Sequence, residues 1–557
     1  MVRNLRFDWI AKGWRGRLFA ALIALAAGLP GLLALPPLDR DESRIAQATA
    51  QMLETHDFVT VSYQDHAGDQ RPVGVHWLQA ASVGTLSAAE ARGIWAYRLP
   101  SLLGAMLAAA ACVWGAAAFW EARIAFTAGA VVAVSALLST EAGVASGGAL
   151  LCGAVTLSLA ALAHIYAAAL KGEGPLRRTK LIFWLGLGLA ILDRGPLGAL
   201  PIAACVIALW ASDRKQPWLR TLGWGWGALV IAGMVGPWLA AVTVHTDGGY
   251  WLRVGGGPFL GGDPLGGHGA WPGANTVLAP MLAFPAAALL PGAAVLGWAG
   301  RREPGARFAL CWLVPGWLLL ELLAAGSSLP VYGGLAILAA AGLARPVGAR
   351  ALRTGLALTG LAGGGWIGLA IIAWSRFGDR GSAFALVLAV LLIAAAAAAG
   401  GWLLLSPRRR AALAAAFGLG LAAHAAVAAA LAPRLGGLWL AQRTGALLDR
   451  THLNPRDGLT PGPVTVIGFG EPSIVFTLGT ETELGDAGDG AEAIAEGRPV
   501  VVEERQKAGF LTELAGDKLK ASPVGAVVGW DYATGRNVRL VVYRSDSPPP
   551  ASSDSAP

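Results

Sequence analysis

The chain has 557 residues, of which 55% are hydrophobic and 14% charged, and its mean hydropathy is +0.55. That composition lies outside the range of soluble globular domains. The formal net charge of +8, from 43 basic and 35 acidic residues, points to nucleic acid only if the location of the charges is ignored.

In chain order, about thirteen apolar stretches are long enough to approach or cross a hydrocarbon core of roughly 30 Å. They cover residues 18–36, 99–119, 124–138, 149–170, 181–192, 197–210, 222–244, 274–298, 308–324, 329–343, 354–374, 383–405 and 411–431. Arg3, Arg6, Lys12, Arg15 and Arg17 precede the first stretch. Lys171, Arg177, Arg178 and Lys180 follow the fourth, Arg301, Arg302 and Arg307 the eighth, and Arg408, Arg409 and Arg410 the twelfth. Basic residues gather on the cytoplasmic side of membrane proteins. This pattern predicts a cytoplasmic N-terminus, a C-terminus across the inner membrane, and anionic lipid headgroups as the partners of the basic excess. The first stretch reads as an uncleaved span, because an acidic loop and many further spans follow it.

Residues 39–98 form the first outer loop. Its opening, "DRDESRIAQATAQMLETHDF", places Ile45, Ala48, Thr49 and Met52 at helical spacing, which predicts an amphipathic helix lying on the membrane surface. A second outer loop, 245–273, is rich in Gly and Pro and reads as irregular. The membrane region therefore ends near residue 432. Beyond it, the short runs "VTVIGF", "SIVFTL", "RPVVVE", "VGAVVGW" and "VRLVVYR" read as strands, with "EERQKAGFLTEL" helix-like between them. Residues 433–545 thus form a small α/β domain, and 546–557 a disordered tail. Cys112, Cys152, Cys205 and Cys311 all fall in apolar stretches, so no disulfide framework or thiolate metal site is indicated.

Ionisable groups on the outer side have no topological explanation, so the chemistry is sought there. Asp39, Asp41 and Glu42 stand directly after the first span, with Arg44 close behind. Carboxylates at a membrane boundary are costly unless they are hydrated, paired or functional. A helix cap is the structural alternative for Asp39 or Asp41. Arg71 has the chemistry to grip a phosphate bidentately, in a segment that also carries His76 and Trp77, and a membrane-surface anchor is the alternative there. His268 lies in the Gly-rich loop. Asp193–Arg194 reads as a buried ion pair, and His164 and His424 read as structural. No P-loop, Rossmann glycine pattern, CxxC pair or HExxH motif is present.

Taken in order, "LDRDESRIAQATAQMLETHDFV", "QRPVGVHWLQAASV", "YRLPSLLGA", "FWLGLGLAILDRGPLG", "GPWLAAV", "GGHGAWPG" and "EPSIVFTLGT" resemble the bacterial family 39/83 glycosyltransferases. That group includes lipid A aminoarabinose transferases and protein O-mannosyltransferases. The resemblance implies a C-type glycosyltransferase fold in the bacterial inner membrane. It also implies a polyprenyl-phosphate-linked sugar as donor, and lipid A or another envelope glycan as acceptor at the periplasmic face. Asp41, with Glu42 beside it, matches the supposed catalytic carboxylate. Arg71 takes the place of the phosphate-binding lysine of a "KP" motif, and Arg194 that of the lysine in "KGP". His268 matches a loop histidine near a metal site in some members, so a divalent metal is the one cofactor the resemblance admits.

The chain departs from the family at several positions. Gln70 replaces an acidic residue, Gly147–Gly148 replaces "TD", and Ser327–Tyr332 lacks the Lys and His of a "TKLPHY"-like motif. A catalytically impaired binder of lipid-linked sugar or of a partner protein is the alternative function. A transporter is disfavoured, because the charges sit at the outer boundary and not near span centres.

Overall fold

The computed structural model describes residues 9–67, 71–214, 217–256, 271–322, 327–346, 348–457, 462–532 and 534–546. Eight of its helices are long and apolar enough to cross a membrane, or ten if each of two bent pairs counts as one span. Of the thirteen expected stretches, eight to ten thus qualify as spans by length and composition among the described residues. Segment 124–138 is two helices, Ala122–Val134 and Ala136–Ala142, bent by 60°. The bend falls at Ser135, whose Oγ accepts the Leu138 N–H and starts the second helix. Segment 274–298 breaks by 114° between Ala274–Leu282 and Ala286–Ala299. Segments 197–210 and 329–343 fall within the apolar helices Pro196–Ser212 and Leu329–Leu343, which are shorter than full spans.

Small residues let the helices approach closely. A Cβ at Gly104, in the Ile94–Ala116 helix, would overlap the Leu150 backbone, and one at Gly153 would overlap the Gly104 carbonyl. This is the small-residue packing by which membrane helices associate where burial in lipid supplies no hydrophobic drive. The four cysteines are buried and unpaired within the helices.

The helix expected on the membrane surface is observed over Asp41–Thr55. It does not lie free on a surface, since Glu42, Ser43 and every residue from Ile45 to Met52 is buried. One side packs through Ala46 and Ala50 against Val83, Ala96 and Tyr97. On another, Gln47 Nε2 donates to Thr480 Oγ1 (2.7 Å) in the C-terminal part of the chain, and Phe476 joins the same apolar cluster. Polar positions that would have faced headgroups instead face protein.

A hairpin, β1 (Ser62–Tyr63) and β2 (His66–Ala67), follows that helix. Near the C-terminus are β3 (Thr465–Ile467), β4 (Glu483–Gly485), β5 (Val500–Glu503), β6 (Ala521–Asp531) and β7 (Arg536–Ser545), forming one sheet in the order β4-β3-β5-β7-β6. β3 runs parallel to β4 and β5, whereas β7 is antiparallel to β5 and β6. "SIVFTL" is not a strand. It lies in the helix Pro472–Leu478, with Pro in its first turn and Gly479 at φ 122° after its end. Its Ile474, Val475, Phe476 and Leu478 are all buried, so the apolar run reflects burial and not alternation.

Candidate active site

The first span ends at Ala34, and the chain turns over a short loop into the Asp41–Thr55 helix. One buried arginine closes that turn. Arg98 is fully buried, and its Nη1 donates to Leu35 O (2.6 Å) and Gly31 O (3.1 Å), its Nη2 to Pro36 O (2.9 Å). These carbonyls lie at a helix C-terminus, where backbone donors run out; Gly31 O also accepts the Leu35 N–H (3.2 Å). Glu42 balances the charge, with Oε1 2.7 Å from Arg98 Nε and Oε2 2.8 Å from Nη2. The same carboxylate accepts the backbone N–H groups of Leu38 (2.8 Å) and Ala145 (2.7 Å). Glu42 is 2% exposed and both its oxygens are engaged.

Asp41 differs from its neighbour. Its side chain is 29% exposed, with Oδ1 2.9 Å from Arg44 Nη2 and Oδ2 3.4 Å from Arg71 Nη2. Arg71 is almost wholly buried. Its charge also acts on Asp193, which is buried and carries Arg194 Nε 3.8 Å from its Oδ2. Neither Asp193 oxygen accepts a hydrogen bond among the described residues. Arg194 Nη2 donates to Ser146 O (3.1 Å). Arg44, Arg71 and Arg194 thus converge with Asp41 and Asp193 around the end of the first span.

A further carboxylate joins this group. Glu141 accepts from Ser146 Oγ (2.6 Å), and its Oε2 fills the space that a Cβ on Gly148 would enter. His76 stands apart. It is buried, with Nδ1 2.8 Å from Thr49 Oγ1, and Thr49 also donates to Gln79. Thr49 is about 12 Å along the helix from Asp41 at 1.5 Å per residue. His268 and Gln70 lie outside the described residues.

No family model matches the chain. In sequence it is 29% identical over 358 residues to the undecaprenyl phosphate-alpha-4-amino-4-deoxy-L-arabinose arabinosyl transferase of Pectobacterium atrosepticum, covering 60% of each chain. It is 30% identical over 378 residues to that of Aeromonas salmonicida, covering 61% of this chain and 64% of the relative. The matches span less than two thirds of these relatives' length. In structure it superposes on ArnT of Cupriavidus metallidurans in the apo state, with TM-score 0.68 and 18% identity over 95% of this chain and 97% of that one. The same protein bound to undecaprenyl phosphate gives TM-score 0.69 over 94% and 97%. The chain has the ArnT fold.

Within this ArnT fold, Arg98 and Glu141 at the site, and Glu321 beside the Gly-rich loop, are residues that the sequence reading did not single out. Each is an ionisable residue within or bordering an apolar stretch, which is itself a signal. Glu321 accepts the backbone N–H groups of Gly273 (2.9 Å) and Thr276 (2.7 Å) and the Thr276 hydroxyl (2.8 Å). It thereby anchors the end of the Gly-rich loop. Among the described residues, no three His, Cys, Asp or Glu side chains come together as a metal site requires. Both Asp41 oxygens face guanidinium groups, a poor setting for a cation ligand. No step is therefore routed through a metal.

The C-terminal part of the ArnT-like fold reaches this region directly. Arg40 Nη2 donates to Tyr532 O (2.7 Å), and Ser473 N donates to Asp39 Oδ1 (3.2 Å). Arg40 sits at φ 64°, in the left-handed region that a side chain rarely adopts. Burial pushes the Asp39 carboxyl up to about 6, partly opposed by the hydrogen bonds from Ser473.

Proposed function

We propose that the chain is a polyprenyl-phosphate-sugar-dependent glycosyltransferase of the bacterial inner membrane, passing a sugar from a lipid-linked donor to lipid A or another envelope glycan. The observation that carries this reading is Asp41. It is a part-exposed carboxylate gripped by Arg44 and Arg71 in a fold shared with ArnT, which has been crystallised with undecaprenyl phosphate. The aminoarabinose transferases it resembles in sequence carry the donor and the sugar in their names.

In this reading the reaction is a direct displacement at the sugar's anomeric carbon. Arg71, helped by Arg194, receives the donor phosphate and stabilises the charge that grows on it as it leaves. The Arg71–Asp41 contact is long at 3.4 Å, so an arriving phosphate competes for the same guanidinium. Donor binding then releases one Asp41 oxygen to take the acceptor's proton as general base, or to orient its nucleophile. Polyprenyl phosphate is a fair leaving group, so positioning and charge stabilisation suffice. Glu42 acts as a positioning residue, since the Arg98 pair and two backbone donors use both of its oxygens. Glu141 brings a carboxylate to the place where the family motif has an acidic side chain and this chain has Gly148. That supports an active enzyme over an impaired one.

The domain division at residue 432 and the orientation belong to the same reading. The N-terminus lies in the cytoplasm, and the C-terminal sheet in the periplasm together with the site. The deciding experiment is transfer from a polyprenyl-phosphate donor by Asp41→Asn. Transfer is expected to vanish while expression and detergent stability stay near wild type, because Asp41 follows the N-cap Arg40 at a part-exposed position and Asn keeps its shape. Full complementation by Asp41→Asn would remove Asp41 from the chemistry.

A further inference from the structure

Two buried carboxylates lie near the end of the first span, and the chain treats them differently. Glu42 meets Arg98 through short contacts of 2.7 and 2.8 Å and also accepts two backbone N–H groups. A buried charge is ordinarily kept in this way, paired and hydrogen-bonded. Asp193 is just as buried, at 2% exposed. Yet Arg194 Nε stands 3.8 Å from its Oδ2, beyond hydrogen-bond reach, and Arg194 Nη2 donates to Ser146 O. Among the described residues neither Asp193 oxygen accepts a hydrogen bond. Gly147 lies against this carboxylate at φ 80°, and a Cβ there would stand 3.0 Å from Oδ1. The glycine thus leaves room beside that oxygen. A plain counter-ion would be better served by the short contacts that Glu42 makes.

We propose that Asp193 is a specificity-determining residue, accepting a hydrogen bond from the 2-hydroxyl of the donor's sugar. The inference rests on the transferase reading, in which Arg71 and Arg194 hold the donor phosphate. Asp193 lies within the field of both guanidinium groups, so the part of the donor that reaches it lies beside the phosphate. The phosphate itself is excluded, because an anion that only accepts hydrogen bonds is repelled by a carboxylate. The isoprenoid tail has no polar hydrogen. The sugar alone offers hydrogen-bond donors, and its 2-hydroxyl stands on the carbon next to the anomeric centre that carries the phosphate. Hydrogen bonds to that hydroxyl strengthen as positive charge develops at the anomeric carbon, and an ionised carboxylate is a strong acceptor for it. Asp193 therefore acts on the displacement and not on the grip of the lipid.

The test gives the full-length protein two donors, with lipid A as acceptor. One is undecaprenyl phosphate carrying 4-amino-4-deoxy-L-arabinose, the donor in the relatives' names, and the other is its 2-deoxy analogue. Sugars without the 2-hydroxyl are intrinsically more reactive, so the readout is the ratio of kcat/KM for the complete donor to that for the analogue. Asp193→Asn should lower this ratio at least about fivefold below wild type, the difference between a charge-assisted and a neutral hydrogen bond. The comparison cancels effects of the substitution that do not involve the 2-hydroxyl. Binding of bare undecaprenyl phosphate by Asp193→Asn should be unchanged or tighter, because a negative charge leaves the neighbourhood of Arg71 and Arg194. An Asp193 that merely braced those arginines would weaken it. An equal ratio in wild type and variant, or weaker binding of undecaprenyl phosphate by the variant, would overturn the proposal and leave the transferase reading standing. A wild-type protein that binds no undecaprenyl phosphate would overturn both.

Discussion

Arg71 and Glu42 show how differently two charged side chains can be used around one carboxylate, Asp41. Arg71 is buried with its Nη2 3.4 Å from Asp41 Oδ2, a long contact that a donor phosphate can displace. A charge-assisted hydrogen bond is worth about 1.5–3 kcal/mol. Arg71→Ala is therefore expected to weaken donor-lipid binding at least several-fold, and Arg71→Lys less, because a point charge remains without the planar fork. Unchanged donor affinity in Arg71→Ala, measured by isothermal titration or lipid retention, would take Arg71 out of the site. Glu42 has no such spare capacity. Removing one partner of a buried pair leaves an uncompensated charge at a cost of about 3–5 kcal/mol. Glu42→Ala should accordingly lower detergent-state thermal stability strongly, where Asp41→Asn does not. A Glu42→Ala protein that melts like wild type but transfers no sugar would instead return Glu42 to the chemistry.

At the scale of elements, the Asp41–Thr55 helix and its contacts with the C-terminal sheet set the pH behaviour. The Asp39 carboxyl titrates at about 6, raised by burial, against roughly 3.9 in an unfolded chain. The folded state therefore binds more protons between those values. The associated stabilisation is complete below pH ~4 and lost as pH rises through about 6. Asp39→Asn should remove this dependence and raise the melting temperature at pH 7.5 relative to wild type, with the gap closing toward pH 4. A gap that stays constant over that range would show that Asp39 is not held in its buried setting. The helix was legible in sequence because Ile45, Ala48 and Met52 recur at its period, but its surroundings were not. Periodicity reports one apolar face, whereas Gln47 and Thr49 are buried by hydrogen bonds to Thr480 and Gln79. "SIVFTL" failed for a related reason: a short run apolar on every side fits a buried helix as well as a strand.

For the whole molecule, the arginine distribution makes the strongest statement. Reporter tags at the N-terminus and beside Arg408–Arg410 should read cytoplasmic, and one following β7 periplasmic. A cytoplasmic C-terminal reporter would mean that the proposed orientation has one crossing too many or too few, and the short helices Arg177–Arg194 and Pro196–Ser212 are the place to look. The membrane class and the ordered motifs were open to sequence reading because hydropathy and charge are properties of segments. The bends of 60° and 114° were not, since composition carries no direction. Nor was Glu141, whose place beside Gly148 is made by the fold and not by adjacency in the chain.

The Asp41 loop is fastened at both ends of the polypeptide's history. Arg98 ties it to the first span, and Tyr532 and Ser473 tie it to a region made some 430 residues later. During biosynthesis the early membrane helices insert long before that last region exists. A nascent chain halted before Ser473 thus carries Asp41 without either C-terminal tie, and one halted before Tyr532 lacks the Arg40 contact. Under the proposed function, the site is therefore complete only once the C-terminal region has been made and has docked on the Asp41 helix.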